Sequence, residues 1–196
     1  MTEHNDTTAD QLPRLGVVIG SIRTPRKADS VADWVRNHLE AHDYPAEFRV
    51  LDLKDFELPP LEHFNQHSDQ HAPADLVRWR DAVDVCEGFL FITPEYNRAA
   101  PGYFKNAYDL LDVQWKHKPV GFISYGGVGG ARAVDQWRVS MAPYGMYTIG
   151  QQILLYNRYD FDSDTLQVND RHEKSLGKLL EELHRLTVAT RPLRQN

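Results

Sequence analysis

The feature that most constrains the fold is a regular alternation of short apolar runs with amphipathic segments of helical period. Residues 15–20, 88–93 and 120–124 are apolar runs of strand length, and residues 47–53 and 147–156 add two more strands. The segments between them repeat apolar residues every three or four positions, as helices that bury one face do. We therefore predict an α/β domain with a doubly wound, five-stranded parallel sheet and helices on both faces. An eight-unit barrel would need more strands.

Composition sets limits on the molecule and its partners. The 196 residues suffice for one domain, which we expect over residues 14–190. Residues 1–13 read as a disordered N-terminal tail without a signal peptide, and residues 191–196 as a C-terminal tail. The formal net charge of −6 argues against nucleic-acid binding, and no apolar run reaches membrane-spanning length. We expect a cytoplasmic protein that binds neither nucleic acid nor a membrane.

Two acidic or histidine-rich patterns and one thiol invite a functional interpretation. Cys86, the single cysteine, shares a helix face with apolar residues, so we expect a buried structural thiol. Three histidines recur at intervals of four in a proline-flanked loop, where a substrate-pocket or subunit-contact role is favoured over metal binding: His63, His67 and His71. Three aspartates resemble the start of a calcium loop without its glycine or closing glutamate, so we expect a solvated turn and no metal: Asp160, Asp162 and Asp164.

Three turns follow strands whose carboxyl ends meet at one edge of the predicted sheet, where ligands of such folds bind. The first carries a hydroxyl and three cations before a helix N-terminus: Ser21, Arg23, Arg26 and Lys27. Free N–H groups and the helix dipole at such a turn favour a phosphate, although a solvated turn with its cations in water is the alternative. The second contains Pro94, Glu95, Tyr96 and Asn97, and the third contains Ser124, Tyr125, Gly126 and Gly127.

Together the three turns suit a flat heteroaromatic ligand with a single phosphate. The phosphate would lie on the first turn, the ring edge against the second, and the ring end near the glycines, where backbone approaches closely. The first turn lacks the Gly-x-Gly-x-x-Gly pattern of dinucleotide sites and the Walker pattern of nucleoside triphosphate sites. A monophosphate ligand is therefore favoured over a pyrophosphate.

The same stretches carry a family resemblance. Gly20-Ser21-Ile22-Arg23, Thr93-Pro94-Glu95-Tyr96-Asn97 and Ser124-Tyr125-Gly126-Gly127 occur in the order and spacing of NADPH-dependent FMN reductases, which this chain resembles. The resemblance implies a flavodoxin-like fold, with Ser21, Arg23 and Arg26 on the FMN phosphate. Residues 94–97 would lie along the isoalloxazine, and Ser124 with the following turn would bound its far end. Arg26 and Ala28 stand where many members have Ser and Asn, and Ala99 replaces a small hydroxyl residue.

The resemblance also implies an activity, which is hydride transfer from NADPH or NADH to FMN and onward to quinones, free flavins or other small acceptors. No residue of the chain is expected to be catalytic, because the flavin carries the chemistry. An FMN-binding electron carrier that meets a protein partner is the alternative, and a fold that has lost its cofactor is a third reading.

An oligomer is expected from the aromatic content of the third and fourth helices and the segment between them. These residues exceed what one sheet face readily covers, and they predict a homodimer or homotetramer: Tyr103, Phe104, Tyr108, Trp115 and Trp137. The family members that this chain resembles pair through this region, so the resemblance implies the same pairing here.

Overall fold

A computed structural model describes residues 12–63 and 72–194. The strands of the main sheet are β1 (Arg14–Ile19), β2 (Glu47–Asp52), β3 (Gly88–Pro94), β4 (Pro119–Gly126) and β5 (Tyr147–Tyr156). Two further short strands are β6 (Phe161–Asp162) and β7 (Thr165–Leu166). The helices are α1 (Ala28–Ala41), α2 (Ala74–Asp84), α3 (Gly102–Asp109), α4 (Ala131–Met141) and α5 (Asp170–Thr190).

The main sheet is parallel throughout, with the strand order β2-β1-β3-β4-β5. This is the flavodoxin-like order, so the predicted fold is confirmed. The order reverses between β1 and β3, and ligands bind beyond the carboxyl ends of the strands at such a switch point. In the sheet register Ile19 lies opposite Ile92 and Thr93 opposite Ser124, so β1, β3 and β4 end side by side.

Two apolar cores lie on opposite faces of the sheet. Helices α2, α3 and α4 pack on one face, and α1 and α5 pack on the other. Every residue of the central strands β3 and β4 is buried, which explains why both read as continuous apolar runs rather than as alternating patterns. The edge strand β2 has three exposed residues among its six.

The aromatic residues that predicted a subunit interface are in the core instead. Phe104, Tyr108, Trp115 and Trp137 are each at most 1% exposed and pack on one another beneath α3 and α4. Tyr103 is partly buried and donates a hydrogen bond to the Phe56 carbonyl. The aromatic argument for an oligomer was therefore wrong, because this face of the sheet absorbs the rings.

A hairpin of β6 and β7 follows the main sheet and was missed in the sequence. It is attached to α1 through Ser30, whose hydroxyl donates to the Asp164 carbonyl at 2.8 Å and accepts from Leu166 N at 3.1 Å. The expected solvated turn was wrong for Asp160, which is 5% exposed and accepts from the backbone N–H of Tyr156 at 2.6 Å.

The remaining predictions concern the ends of the chain and its metal ligands. Residues 1–11 of the predicted tail lie outside the described residues, whereas Arg191 and Arg194 pair with Glu87 at 2.7 and 3.3 Å. His67 and His71 also lie outside them, and the described ranges contain no group of three potential metal ligands. Cys86 is fully buried, as predicted. No helix in the described ranges has the length and apolarity that crossing a bilayer requires.

Candidate functional site

A cleft of about 360 Å³ opens at the carboxyl edge of the sheet, within the size range of small-molecule sites. Nine of the twelve predicted site residues line it: Ser21, Arg23, Arg26, Lys27, Pro94, Glu95, Tyr96, Tyr125 and Gly126. The turns after β1, β3 and β4 therefore converge, as the strand order requires. Pro25, Asn157 and Asp164 complete the wall.

The other three predicted residues are close to the cleft without lining it. Ser124 is fully buried and its hydroxyl donates to the Gly129 carbonyl at 2.7 Å, so it stabilises the glycine turn from inside. Asn97 and Gly127 are exposed beyond the lining residues.

Of the three lining residues that were not predicted individually, Pro25 lies within the predicted first turn, and the other two had unequal signals. Asn157 follows the carboxyl end of β5, so the rule that ligands bind beyond the carboxyl ends of parallel strands could have predicted it. Asp164 lies on the short hairpin, for which no periodicity was visible.

The first turn presents unpaired backbone donors at the N-terminus of α1. Gly20 N–H still follows the sheet, donating to the Ile92 carbonyl at 2.9 Å. Within the part of the chain that the structure describes, the backbone N–H groups of Arg23, Thr24 and Ala28 have no acceptor, and no side chain caps α1. Such a turn is suited to an anion.

Arg26 has a structural role in this turn. Its guanidinium is bound to both carboxylate oxygens of Asp52 at the end of β2, to Asp29 Oδ1 at 2.7 Å and to the Ser21 carbonyl. Burial of Asp52 favours its neutral form, but the hydrogen bonds and charge of Arg26 outweigh this and lower the pKa of Asp52. Likewise, the two carboxylates outweigh burial and raise the pKa of Arg26. Four of its five N–H donors are thus committed within the protein.

Lys27 and Arg23 differ in how free their charges are. Lys27 Nζ is bound to the Ser163 carbonyl and lies 3.4 Å from Asp164, so the hairpin holds it. Arg23 is exposed, with its guanidinium 5.6 Å from the ring centroid of Tyr96. Among the ion pairs of the described residues Arg23 has none. It is the cation of this turn that is free to meet a ligand.

The second turn is a rigid two-residue reversal. Tyr96 and Ala99 exchange both backbone hydrogen bonds, at 3.0 and 2.9 Å, around Asn97 and Arg98. These central residues have φ of 49° and 67°, the left-handed pair of a type I′ turn. Gln136 of α4 fixes the turn by accepting from Ala100 N at 3.0 Å and donating to the Arg98 carbonyl at 3.2 Å.

Glu95 connects the second turn to the start of α4. Its carboxylate accepts from the backbone N–H and the guanidinium of Arg132, both at 3.0 Å, and its side chain is 7% exposed. The carboxylate therefore caps α4 and is not a free acid or base. Tyr96 reaches the other way, and its hydroxyl forms a 2.9 Å hydrogen bond with the hydroxyl of Ser21.

The third turn requires glycine at two places. Gly129 and Gly130 have φ of 71° and 78°, and a Cβ on Gly130 would lie 2.7 Å from Ser124 Cβ. This close return brings the start of α4 against the end of β4, beside Glu95.

Comparisons with known proteins agree with this geometry. The chain matches the family model described as NADPH-dependent FMN reductase over residues 13–160. An NAD(P)H-dependent FMN reductase from Saccharomyces cerevisiae is 30% identical over 148 residues, covering 70% of this chain and 78% of that protein. This chain belongs to the NADPH-dependent FMN reductase family.

Two further similarities extend beyond the matched region. A quinone reductase from Pseudomonas putida is 27% identical over 193 residues, covering 94% of this chain and 90% of that protein. The structure of the flavoenzyme NAD(P)H:(acceptor) oxidoreductase FerB from Paracoccus denitrificans superposes with a TM-score of 0.71 at 23% identity, covering 91% of this chain and 99% of that chain. At this identity the superposition supports the fold alone.

Membership in the FMN reductase family confirms the predicted enzyme class and the predicted use of FMN with NAD(P)H. It favours the oxidoreductase over the FMN-binding electron carrier. The cleft itself fits FMN on two observations, the unpaired N–H groups at the start of α1 and the hydroxyl of Tyr125. That hydroxyl is buried at the cleft and has no hydrogen-bond partner among the described residues.

Proposed function

We propose that this FMN reductase holds its cofactor in the cleft between the turns after β1, β3 and β4 and reduces quinones with NAD(P)H. The observation that carries the proposal is the first turn, with its free Arg23 and the backbone N–H groups of Arg23, Thr24 and Ala28, which have no acceptor among the described residues. A single phosphate matches this site in charge and in hydrogen-bonding capacity. The isoalloxazine would then lie along residues 94–97.

FMN bound in this cleft would supply the redox chemistry, which is hydride transfer from NAD(P)H and two-electron transfer to the acceptor. The protein binds and orients the ring. Glu95 is held by Arg132 and Arg26 by Asp52, so neither charge moves toward a substrate. A quinone would gain two electrons and two protons to become a hydroquinone, with one proton originating in the hydride of NAD(P)H and the other in solvent. A quinone is proposed because the relative from Pseudomonas putida is named a quinone reductase.

We also propose a cytoplasmic location and a homodimer or homotetramer. The buried aromatic residues do not support the oligomer, which stays a prediction from the resemblance to the family. Light scattering at micromolar concentration tests the oligomer, and a mass of 22.6 kDa would contradict it.

The activity is tested by mixing the protein with NADPH and a benzoquinone, with and without added FMN. Turnover that depends on FMN supports the proposal. Bound flavin without turnover would favour an electron carrier, and neither binding nor turnover would contradict both readings. FMN, FAD and riboflavin are titrated in parallel, and we expect FMN to bind most tightly because the first turn accommodates one phosphate.

Donor and acceptor are proposed to use the same open side of the ring in turn, because both must reach the same reactive region of the flavin. Double-reciprocal plots against NADPH at several quinone concentrations should then be parallel. Intersecting lines would indicate a ternary complex and a second substrate site.

A further inference from the structure

The side chain of Tyr125 lies at the phosphate end of the proposed FMN site. Its ring packs 6.0 Å from the ring of Phe161 in the hairpin, and Lys27 Nζ lies 4.8 Å from that same Phe161 ring. Tyr125 belongs to the core formed with Ala28 and Val31 of α1. The sequence analysis had predicted instead that Tyr125 lies with the glycines at the far end of the flavin ring.

The Tyr125 hydroxyl is buried without a partner. The residue is 6% exposed, and no described residue accepts or donates a hydrogen bond at this oxygen. Burial raises the pKa of Tyr125; the Ser21 hydroxyl, which lies beside the phenol outside full hydrogen-bond geometry, and the charge of Arg26 oppose this rise only in part. The Ser21 hydroxyl forms its hydrogen bond with Tyr96 instead. An orphaned phenol inside a protein is unfavourable, so the native site is expected to supply a partner.

The surroundings identify what that partner is. Ser21, Arg23, Arg26 and Lys27 line the cleft together with Tyr125. This end of the cleft is rich in cations and hydroxyl groups, and it adjoins the uncapped N-terminus of α1. A neutral phenol is a donor well matched to a phosphate oxygen in such a place.

We propose that Tyr125 completes the phosphate site by donating its hydroxyl hydrogen to an oxygen of the FMN phosphate, which makes Tyr125 a positioning residue for the cofactor. This inference rests on the proposed FMN site and goes beyond it by giving the orphaned hydroxyl a ligand. It also predicts opposite effects of one substitution on the apoprotein and on the complex.

The test is Tyr125→Phe, measured as flavin binding and apoprotein stability rather than as turnover. The dissociation constant for FMN should rise at least about tenfold, the lower end of the range for one lost hydrogen bond to a charged group. The dissociation constant for riboflavin, which has no phosphate, should stay within about twofold. The midpoint of thermal unfolding of the apoprotein should be no lower than in the wild type, because the phenylalanine removes an unpaired polar atom.

Tyr108→Phe is the matched control, since Tyr108 is a buried tyrosine on the opposite face of the sheet. It should leave both flavin affinities unchanged. The proposal is overturned if the Tyr125→Phe variant binds FMN as tightly as the wild type does, or if its affinity for riboflavin falls as much as its affinity for FMN. A lower midpoint of thermal unfolding of the apoprotein would also overturn it. Equal weakening of FMN by Tyr108→Phe would overturn it too. Failure of the wild type to bind FMN would instead contradict the proposed function.

Discussion

Arg26 and Asp52 form a two-point ion pair that fastens the turn after β1 to the end of β2. Nη1 of Arg26 lies 2.8 Å from Oδ1 of Asp52, and Nη2 binds Oδ2. The Arg26 side chain is 5% exposed and that of Asp52 is 18% exposed. Arg26, one of the cations that the sequence placed on the phosphate, therefore shapes the site by holding its backbone.

Arg26→Ala should destabilise the fold. Removing one partner of a buried pair leaves a desolvated charge, and we expect the free energy of unfolding to fall by about 3 kcal/mol. Urea denaturation measures it. Arg36→Ala is the control, because Arg36 pairs with Asp33 at the surface and should cost less than about 0.5 kcal/mol. Equal losses in the two variants would contradict the structural role of Arg26.

Arg23→Ala should weaken FMN binding without destabilising the fold. Arg23 has no ion pair among the described residues, so its loss leaves the fold intact and removes a charge from the phosphate. FMN affinity should fall by about 1.5–3 kcal/mol, the usual contribution of a hydrogen bond to a charged group. Fluorescence titration measures it, with riboflavin unaffected. Arg185→Ala, which removes an exposed cation of α5, should leave FMN affinity unchanged, and a similar loss there would indicate non-specific electrostatics.

Gly130→Ala should disrupt the glycine turn, whereas Gly127→Ala should be tolerated. A Cβ at Gly130 meets Ser124 Cβ at 2.7 Å and Tyr125 N at 2.8 Å, with φ at 78°. A Cβ at Gly127 meets nothing within 4 Å. We expect Gly130→Ala to cost more than about 2 kcal/mol and Gly127→Ala less than about 1 kcal/mol in the free energy of unfolding. Similar costs at both positions would show that the turn relaxes.

Arg98→Gly should stabilise the protein. Arg98 has φ of 67° at the second position of a type I′ turn, where glycine is favoured. Relief of this strain should raise the free energy of unfolding by about 1 kcal/mol, or the melting midpoint by about 2–4 °C. Ala99→Gly, at a position without positive φ, should destabilise the protein instead. A lower midpoint for Arg98→Gly would mean that the arginine side chain stabilises the turn.

The sequence predicted well what depends on local periodicity and on strand order. Burial on both faces makes β3 and β4 continuous apolar runs, and the parallel order then brings the turns after β1, β3 and β4 together. Nine of twelve proposed residues line the cleft for this reason.

What the sequence missed depends on contacts between distant residues. Asp52 lies 26 positions from Arg26, and no local pattern pairs them. Trp115 and Trp137 are in the core because α2, α3 and α4 share one sheet face. Amino-acid composition alone does not predict which helices share a face. Strands β6 and β7 have two residues each, too few for a periodicity to appear.

The last prediction concerns two buried groups at the end of α2 whose titrations oppose each other. Lys118 Nζ donates to the carbonyls of Val83 and Asp84, both at 2.9 Å, and burial lowers the pKa of Lys118 from 10.5 to about 8. Burial raises the pKa of Cys86 from 9.0 to about 11. Above pH 8 the unfolded chain keeps the lysine proton that the folded protein loses, so the free energy of unfolding rises with pH. From pH 9 the folded protein keeps the thiol proton that the unfolded chain loses, so the contribution of Cys86 makes the free energy of unfolding fall with pH.

The free energy of unfolding should therefore increase between pH 8 and 9, by at most about 1.4 kcal/mol per pH unit from Lys118, and then level off. Urea denaturation at half-unit steps from pH 7.5 to 10.5 measures the profile. In Lys118→Met the increase should vanish, whereas in Cys86→Ala it should continue toward pH 10.5, because only the opposing thiol has been removed. The two variants thus separate the titrations even if both shift the absolute stability. Profiles parallel to the wild type in both would show that neither group titrates differently in the folded protein and in the unfolded chain.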